Sequence, residues 1–458
     1  MKPSYQLTKH PLGSIREFWA MSWPLMIGLM SSTLMMFADR LFLSRFDPMA
    51  LNAAASGGIA YYMFLVMPMG VAAISEVLVG RLHGENSCAR AGSSVWQFIH
   101  MALLSLPVFL LISWAAPGLI FFGSGNTEYE TAYFSTLMLF GPAQLIQISL
   151  AGFFIAIGSV RIVTITALIG NAINIILDWL LIFGAGSIPA LGVEGASLAT
   201  GIAQSCQVLL LLLVFLSSGY RKEYGTASIG ISRGVMKEGL SIGMPSGLGH
   251  LMEVICHFLF FRMIMSVSQE QMSLVAMVQS FYVLSSFIIE AESKAAGAIA
   301  SNLLGGKAYS YLGKVLKSAF SLHTLFSSGL MLIAILFPGA LLKLFLAEEN
   351  VASFTRSGFD ASFTTALFYM SLFFLLDGLS WILIGFIQAA GDTRYIFYVS
   401  ASVHWIAYIL PTAWLIYLGK GGADVAWMII ASMSFFTFSL YFIRYWRGSY
   451  LKAYQASV

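Results

Sequence analysis

The sequence predicts an all-α membrane protein, because its composition is apolar and long apolar stretches recur along the whole chain. Of its 458 residues, 58% are hydrophobic and 10% are charged, whereas soluble domains carry about 25% charged residues. A helix of about 20 mostly apolar residues spans the hydrocarbon of a membrane. Only helices or closed barrels satisfy their backbone hydrogen bonds in lipid, and the apolar stretches lack the alternation of barrel strands. We therefore expect a polytopic helical protein embedded in the lipid bilayer.

Twelve transmembrane spans are predicted between clusters of Gly, Pro and polar residues. An even number of spans places both termini on the same side of the membrane. The spans are numbered in chain order and cover approximately residues 17–46, 53–82, 94–122, 132–157, 162–184, 191–218, 236–267, 272–304, 314–346, 361–388, 393–419 and 423–446.

The distribution of charge predicts the orientation of these spans. With the N-terminus in the cytoplasm, most Lys and Arg residues lie in inner loops, as the positive-inside rule requires. Both termini are therefore predicted to be cytoplasmic, in a cell inner (plasma) membrane. The outer loops then hold few bases and several acids, namely Arg45, Lys343, Arg356 and Lys420 against Asp47, Glu128, Glu130, Glu348, Glu349 and Asp360.

Net charge and cysteine content argue against other classes of protein. The formal net charge is +3, and the basic residues are spread over loops rather than gathered on one face, so we expect no nucleic-acid partner. Cys88, Cys206 and Cys256 show neither CxxC nor His/Cys ligand spacing, so neither a disulfide framework nor a zinc site is predicted. No cofactor is expected.

The chain repeats itself at an offset of 221 residues, both from Pro24 to Pro245 and from Gly84 to Gly305. A later match, between GFFIAIGSVR at Gly158 and GFIQAAGDTR at Gly391, has an offset of 233. Parallel repeats of this kind are related by an axis along the membrane normal, and such transporters bind substrate near mid-membrane. The prediction is an N-terminal six-helix bundle (1–218), a cytoplasmic linker (219–234) and a C-terminal six-helix bundle (235–458), related by a pseudo-two-fold axis.

Acidic residues inside the spans are the candidate functional groups. A charged side chain at mid-bilayer costs at least about 2.5–3.5 kcal/mol, so each one needs a partner, a water-filled cavity or a function. Asp39 lies well inside span 1. The alternative for Asp39 is an interfacial ion pair with Arg40 or Arg45.

Span 5 contains Asn174 and Asp178 in the sequence NAINIILDWLL. Their i, i+4 separation places both side chains on one helical face, where they can share a proton or a cation. Asn171 lies one turn before Asn174 and extends the polar stripe. The alternative is that these side chains only form hydrogen bonds between helices.

Glu253 in span 7 and Asp377 in span 10 are the corresponding acids of the second half. The alternative interpretation is a structural pairing of these acids with His250, His257 or Arg262.

Span 8 carries Glu290, Glu292 and Lys294 within five residues. Glu290 and Lys294 are predicted to form an i, i+4 ion pair. Glu292 lies on a different face, and we expect it to line the central cavity and to meet cationic substrates. His404 in span 11 is interpreted as a hydrogen-bonded packing residue.

Several segments together resemble the multidrug and toxic compound extrusion (MATE) family of cation-coupled efflux antiporters. They are the first span from Pro24 to Asp39, ALNAAASGG at the start of span 2, GVEGASLAT from Gly192 to Thr200, the segment from Pro245 to Glu253, and the GFIQAAGDTR turn. The resemblance runs almost from end to end, and it is closest to the bacterial NorM-like branch.

The resemblance implies two candidate cation-coupling sites, with Na⁺ or H⁺ as the coupling ion. Asp39, Asn174, Asp178 and Thr200 match the site of archaeal and DinF-like members. Glu253 and Asp377 match the paired acids of NorM-like members. The resemblance therefore places a Na⁺ site either at Glu253 and Asp377 or at Asp39 and Asp178. In NorM-like members a Tyr often precedes the second acid by one turn, whereas Phe373 stands here, so one expected oxygen ligand is missing.

The expected function is secondary active antiport, in which cationic or lipophilic organic compounds are exported in exchange for Na⁺ or H⁺ by alternating access. The expected partners are small organic cations and the bilayer, and the protein is expected to be a monomer. A lipid-linked oligosaccharide flippase of the same superfamily is the alternative, although a phosphate-bearing headgroup favours a cavity rich in Arg and Lys. An intramembrane enzyme is a remote alternative, because neither HExxH nor GxGD is present; no enzymatic activity is expected. A channel is disfavoured by the absence of a repeated filter segment.

Overall fold

The computed structural model describes residues 5–345 and 359–457. Within these ranges the chain is helical and has no β-strand, apart from an isolated bridge between Ala185 and Ile188. Three residues assigned to the outer loops, Glu348, Glu349 and Arg356, lie outside the described ranges, as does the last residue of the predicted span 9. The all-α fold class is confirmed.

The described residues contain eleven helices long and apolar enough to cross a membrane, and twelve spans when one bent helix pair is counted as a single span. Twelve spans were predicted. The observed spans carry the numbers of the predicted ones, 1 to 12 in chain order. Their bounds are Ile15–Phe46, Pro48–Gly84, Cys88–Ala115, the bent pair Thr127–Leu139 and Gly141–Ala156, Val160–Phe183, Gly192–Phe215, Arg233–Val267, Gln269–Gly305, Tyr309–Leu336, Asp360–Ala389, Thr393–Leu418 and Ala423–Trp446.

Local sequence explains where several of these helices start and bend. Span 2 starts at Pro48, and the side chain of Asp47 caps it by accepting the backbone N–H of Met49 at 2.8 Å; proline suits the first helical turn because its missing N–H has no partner there. Span 4 bends by 45° between its two helices, where Pro142 opens the second helix. Span 11 widens into two π-helical segments on either side of Pro411, as is common where proline removes a hydrogen bond.

The turns after spans 2 and 8 have the same backbone geometry at the offset of 221 residues. Asn86 and Lys307 both adopt positive φ angles, 62° and 54°. The following residue donates its N–H five residues back in each case, from Ser87 to Leu82 and from Ala308 to Leu303, both at 2.8 Å. Each turn then continues into a short 3₁₀ helix, Cys88–Arg90 or Tyr309–Tyr311.

A second pair of equivalent turns joins span 4 to span 5 and span 10 to span 11. Gly158 and Gly391 both have φ of 78°, a conformation that side chains rarely adopt and glycine adopts freely. Ser159 and Asp392 again donate their N–H groups five residues back. The repeat in the sequence is therefore also a repeat of backbone geometry at both pairs of turns.

The chain forms two compact units. The first contains the described residues of Met1–Lys9 together with Ala20–Gly247 and Ser301–Tyr309, and the second contains His10–Trp19, Leu248–Ala300 and the described residues of Ser310–Val458. An aromatic core that includes Phe153, Phe154 and Phe215 stabilises the first unit. In the second unit, span 10 packs against spans 9 and 12. The two six-helix bundles, their linker and their symmetry axis stay predictions.

Replacing Lys307 with Gly should stabilise the protein more than replacing Asn86 with Gly. A left-handed conformation costs an ordinary residue about 1–2 kcal/mol, and Asn tolerates it better than Lys does. We expect Lys307→Gly to raise the midpoint of thermal unfolding in detergent, measured by intrinsic fluorescence, and Asn86→Gly to change it less. An equal or larger increase for Asn86→Gly would contradict this account of the two turns.

Candidate functional site

Four of the predicted residues meet in the first unit. Asp39 comes from span 1, Asn174 and Asp178 from span 5, and Thr200 from span 6. Asn174 and Asp178 are fully buried, and the carboxyl groups of Asp39 and Asp178 are close enough to share a hydrogen bond. We call these four residues the N-terminal acid cluster.

Asn174 joins the two carboxyl groups of this cluster. With donors facing acceptors, its Nδ2 donates to Asp39 Oδ1 at 3.0 Å and to Asp178 Oδ2 at 3.1 Å, and its Oδ1 accepts the backbone N–H of Thr200 at 3.2 Å. In the opposite orientation, Nδ2 has only Thr200 Oγ1, at 3.4 Å, and Oδ1 faces the carboxyl groups. Since amide orientation is assigned from hydrogen bonding, we adopt the first orientation, in which one side chain ties spans 1, 5 and 6 together.

The N-terminal acid cluster can hold a proton or a monovalent cation. Asp178 is fully buried and Asp39 is partly buried, and two adjacent carboxyl groups in such surroundings do not both carry an uncompensated negative charge. Asp178 Oδ1 is buried and has no hydrogen-bond partner, so it can take a proton. Oxygen ligands suit hard cations. No group of three or more His, Cys, Asp or Glu side chains that could hold a metal ion occurs in residues 5–345 and 359–457.

Two neighbouring side chains extend the N-terminal acid cluster. Asn171 donates to Ser31 Oγ at 2.8 Å and to Ser32 Oγ at 3.1 Å, so it ties span 5 to span 1 one turn before Asn174. Tyr133 from span 4 lies in the neighbourhood of the two acids, and sequence reasoning missed it. Gly57 in span 2 leaves room for Tyr133, because a Cβ atom there would lie 3.2 Å from the ring.

A cavity of about 130 Å³ in the second unit is lined by Glu253 and Asp377. His257, Tyr282, Phe373 and His404 also line it. The cavity has room for a few water molecules or a partly hydrated ion, since one water takes about 30 Å³ of liquid. Pockets for drug-sized molecules are larger, at roughly 300–1,000 Å³.

Glu253 is held by neighbours on two spans. Its Oε2 lies 3.2 Å from His250 Nδ1 on the same helix, and its Oε1 accepts a hydrogen bond from Ser400 Oγ of span 11 at 2.7 Å. The His250 ring stacks on Trp381 with centroids 5.2 Å apart. Of the partners considered for Glu253, His250 contacts its carboxyl group, whereas His257 Nδ1 lies 2.9 Å from its backbone oxygen.

Asp377 receives its hydrogen bond from Tyr282, which sequence reasoning also missed. The Tyr282 hydroxyl of span 8 donates to Asp377 Oδ2 at 2.8 Å. Phe373 packs against the Tyr282 ring, with centroids 4.8 Å apart. Phe373, one turn before Asp377, has no hydroxyl. Tyr282 on another helix supplies a hydroxyl to Asp377 instead. No pattern in the sequence singles out Tyr282 among 19 tyrosines.

Glu292 does not line the cavity with Glu253 and Asp377, and its contact with cationic substrates stays a prediction. Glu292 is fully buried, and its Oε2 lies 2.7 Å from Nδ1 of the buried His323. The spacing along span 8 placed Glu292 on a different helical face from Glu290. It could not identify His323 as the residue opposite Glu292. The ion pair between Glu290 and Lys294 is confirmed, with 3.4 Å between Lys294 Nζ and Glu290 Oε1.

His404 combines packing with a position at the cavity. It is buried, and its Nδ1 donates to the Ser400 carbonyl at 2.8 Å. This bond agrees with its interpretation as a hydrogen-bonded packing residue. Its ring also contributes to the cavity wall, which the sequence gave no reason to expect.

Comparison with known proteins gives a family match in both halves of the chain. The family model MatE matches residues 24–180 and 245–415. The two matched segments begin at Pro24 and Pro245, the prolines that open the internal repeat. Together they cover more than half of the chain.

Individual relatives and a solved structure agree with this match. A probable multidrug resistance protein NorM of Pseudomonas aeruginosa is 27% identical over 241 residues, which are 52% of this chain and 49% of that protein; the chain thus spans about half of this relative's length. A probable NorM of Pseudomonas syringae pv. tomato is 25% identical over 441 residues, 91% of this chain and 92% of that protein. An outward-facing multidrug resistance MATE family transporter of the MOP superfamily superposes with a TM-score of 0.83 at 18% identity, over 99% of both chains.

Moving the hydroxyl from Tyr282 to Phe373 tests the hydrogen bond to Asp377. Tyr282→Phe removes a hydrogen bond to a buried acid, worth about 1.5–3 kcal/mol, and should lower the midpoint of thermal unfolding in detergent. The double variant Tyr282→Phe/Phe373→Tyr offers a hydroxyl one turn before Asp377 and should recover part of the loss.

The matched control is Tyr398→Phe, because that side chain is 63% exposed and should leave the midpoint unchanged. An equal loss for Tyr398→Phe and Tyr282→Phe would count against the assigned bond.

Proposed function

Because the chain belongs to the multidrug and toxic compound extrusion (MatE) family, we propose that it is a secondary active antiporter that exports organic cations in exchange for Na⁺ or H⁺. The adjacency of Asp39 and Asp178 inside apolar helices is the observation that carries the proposal. Such a pair is stable when it holds a proton or a cation and strained when it holds neither. Its occupancy therefore affects how the surrounding helices pack.

Alternating access follows from competition between cation and substrate. A carrier in which the inward cation and the substrate favour opposite conformations couples their movements, because each changes the other's affinity by the same factor. The N-terminal acid cluster joins spans 1, 5 and 6 through Asn174. Releasing the cation leaves a net negative charge, which weakens this junction and attracts a cationic substrate.

The second unit supports the same exchange with different chemistry. Glu253 and Asp377 line a cavity whose volume of about 130 Å³ suits an ion with a few waters. We propose that the cavity takes the coupling ion and that the larger organic substrate binds elsewhere. Na⁺ fits the carboxyl oxygens of Glu253 and Asp377 and the Tyr282 hydroxyl, whereas H⁺ needs only one carboxyl group.

The charge of the lining suits a cation as the coupling ion. Within the described structure, no Lys or Arg lines the cavity with Glu253 and Asp377. A phosphate-bearing headgroup is recognised by Arg and Lys, so this cavity gives no support to the oligosaccharide flippase. Aromatic walls such as Trp381 and Trp427 also suit a cation, because aromatic faces attract cations.

The distribution of bases supports a location in the inner (plasma) membrane with both termini in the cytoplasm. In this orientation the carrier moves substrate out of the cell while the cation moves in. We propose that one chain suffices for transport, because each unit has its own acid-lined site. Transport by this route needs neither a cofactor nor an enzymatic step.

Export of ethidium from cells tests the proposal. Wild type should export ethidium when either a Na⁺ gradient or a pH gradient is imposed separately. Asp178→Asn and Asp377→Asn each remove one titratable carboxyl group, and loss of the coupling one should lower export to the rate measured without a gradient. The variant that fails identifies the coupling unit.

Glu128→Gln is the matched control, because Glu128 is exposed at the end of span 4 and should export ethidium at the wild-type rate. Gradient-independent export by wild type, or wild-type rates in both acid variants, would refute the antiport proposal. Absence of export with any cationic dye would instead direct attention to lipid-linked oligosaccharides.

A further inference from the structure

A buried pair of a carboxyl group and an imidazole lies in the second unit, outside the cavity lined by Glu253 and Asp377. Glu292 of span 8 and His323 of span 9 are both fully buried, and Glu292 Oε2 lies 2.7 Å from His323 Nδ1. His323 Nε2 lies 3.1 Å from the Phe374 carbonyl oxygen and 3.0 Å from Ser327 Oγ. Glu292 Oε1 is buried and has no hydrogen-bond partner.

These partners determine how many protons the pair holds. A carbonyl oxygen only accepts, so a proton on Nε2 makes its contact with the Phe374 carbonyl a hydrogen bond, whereas an unprotonated Nε2 would turn a lone pair toward that oxygen. Ser327 Oγ can accept as well as donate, so it fits the protonated Nε2 that we adopt. A carboxyl oxygen and a ring nitrogen at 2.7 Å need one proton between them, because otherwise two lone pairs face each other. The pair therefore holds one shared proton and is neutral overall, whether that proton is drawn on Glu292 or on His323.

Removing the shared proton leaves a net negative charge on two side chains that are fully buried. An isolated buried carboxylate is strongly disfavoured unless it is paired and hydrogen-bonded. The proton can therefore leave only when the helices move and water reaches the pair, and it then passes to a water molecule, giving hydronium and an anionic pair. Retention of the proton is thus linked to the conformation described here.

The His323 imidazole also packs against span 10. Its ring stacks on Phe374, and it occupies the space beside Gly378, where any Cβ atom would collide with it. Gly378 follows Asp377, whose carboxyl group lies in the neighbourhood of His323. The titratable groups around His323 are thus Glu292 on span 8 and Asp377 on span 10.

We propose that Glu292 and His323 form a proton-binding pair that holds one proton in this conformation and releases it to water when spans 8, 9 and 10 rearrange. The inference rests on the proposed function, since it requires a carrier that changes conformation. It adds the proton as a ligand of the second unit at a place outside the cavity lined by Glu253 and Asp377. A purely structural pair would hold the same contacts and never release the proton.

Counting protons released on ethidium binding separates the two roles. Purified protein in nanodiscs is mixed with ethidium in weakly buffered solution containing a pH indicator. We expect Glu292→Gln and His323→Gln each to release about one proton fewer per ethidium bound than wild type, because Gln binds no proton at neutral pH. The double variant should lose no more than either single variant, because the proton is shared.

Glu290→Gln is the control, since Glu290 lies two residues away, is exposed and pairs with Lys294; its proton count should equal that of wild type. An unchanged count in Glu292→Gln and His323→Gln would overturn the inference and leave the antiport proposal intact. If either variant fails to fold, NMR of ¹⁵N-histidine-labelled wild type decides: a chemical shift of His323 Nδ1 that ethidium does not change overturns the inference, and one that moves on ethidium binding to the value of a nitrogen without the shared proton supports it.

If wild type binds no ethidium, the proposed function fails for this substrate, and potentiometric titration decides the inference alone. Wild type should then take up more protons than the double variant across the range in which carboxyl and imidazole groups titrate. Equal uptake would overturn the inference.

Discussion

A carboxyl group inside a bundle of apolar helices needs a hydrogen-bond donor, a cation or a proton, and this requirement determines which spans of the protein are tied together. Asn174 meets it for two acids at once, and so joins spans 1, 5 and 6. Tyr282 meets it for Asp377 from a neighbouring span. Some carboxyl oxygens still lack a partner, such as Asp178 Oδ1 and Glu292 Oε1. At these oxygens, binding of a proton or an ion would change the stability of the buried acid.

The two halves of the chain share turns but not sites. The positive φ angles at Asn86 and Lys307, and at Gly158 and Gly391, recur at equivalent positions, because a turn depends mainly on backbone geometry. The acid sites depend on individual side chains, and these differ. The first unit uses an amide between two carboxyl groups, whereas the second uses a hydroxyl, an imidazole and a small cavity. The coupling ion that we propose would thus meet chemically different groups in the two units.

The sequence predicted the fold class and the twelve spans because apolar length and Gly/Pro punctuation are local properties. It also placed Asn174 and Asp178 on one face, since i, i+4 spacing is local to a helix. Their contact with Asp39 came from resemblance to a family rather than from spacing. Tyr282 could not be predicted, because no periodic signal marks one tyrosine whose partner is 95 residues away.

Glu292 shows the same limit. Its position on span 8 identified the face of the helix, but only the folded chain showed that His323 fills the space opposite that face. The burial of an acid can be expected from its span, whereas its partner depends on how helices from distant parts of the sequence pack. The chemistry open to a buried acid depends on its partner, and for Glu292 that partner is the imidazole of His323.

The central claim is that ion binding at the N-terminal acid cluster or in the cavity lined by Glu253 and Asp377 changes helix packing. Hydrogen–deuterium exchange of the protein in nanodiscs tests this claim most directly. Exchange is compared with and without Na⁺ and at two pH values, after correction for intrinsic exchange rates. The account predicts that at least one of the two ions changes the protection of spans 1 and 5 or of spans 7 and 10, and that Asp178→Asn or Asp377→Asn abolishes the change in its own unit. Protection that neither ion changes, or that changes equally in wild type and both variants, would contradict it.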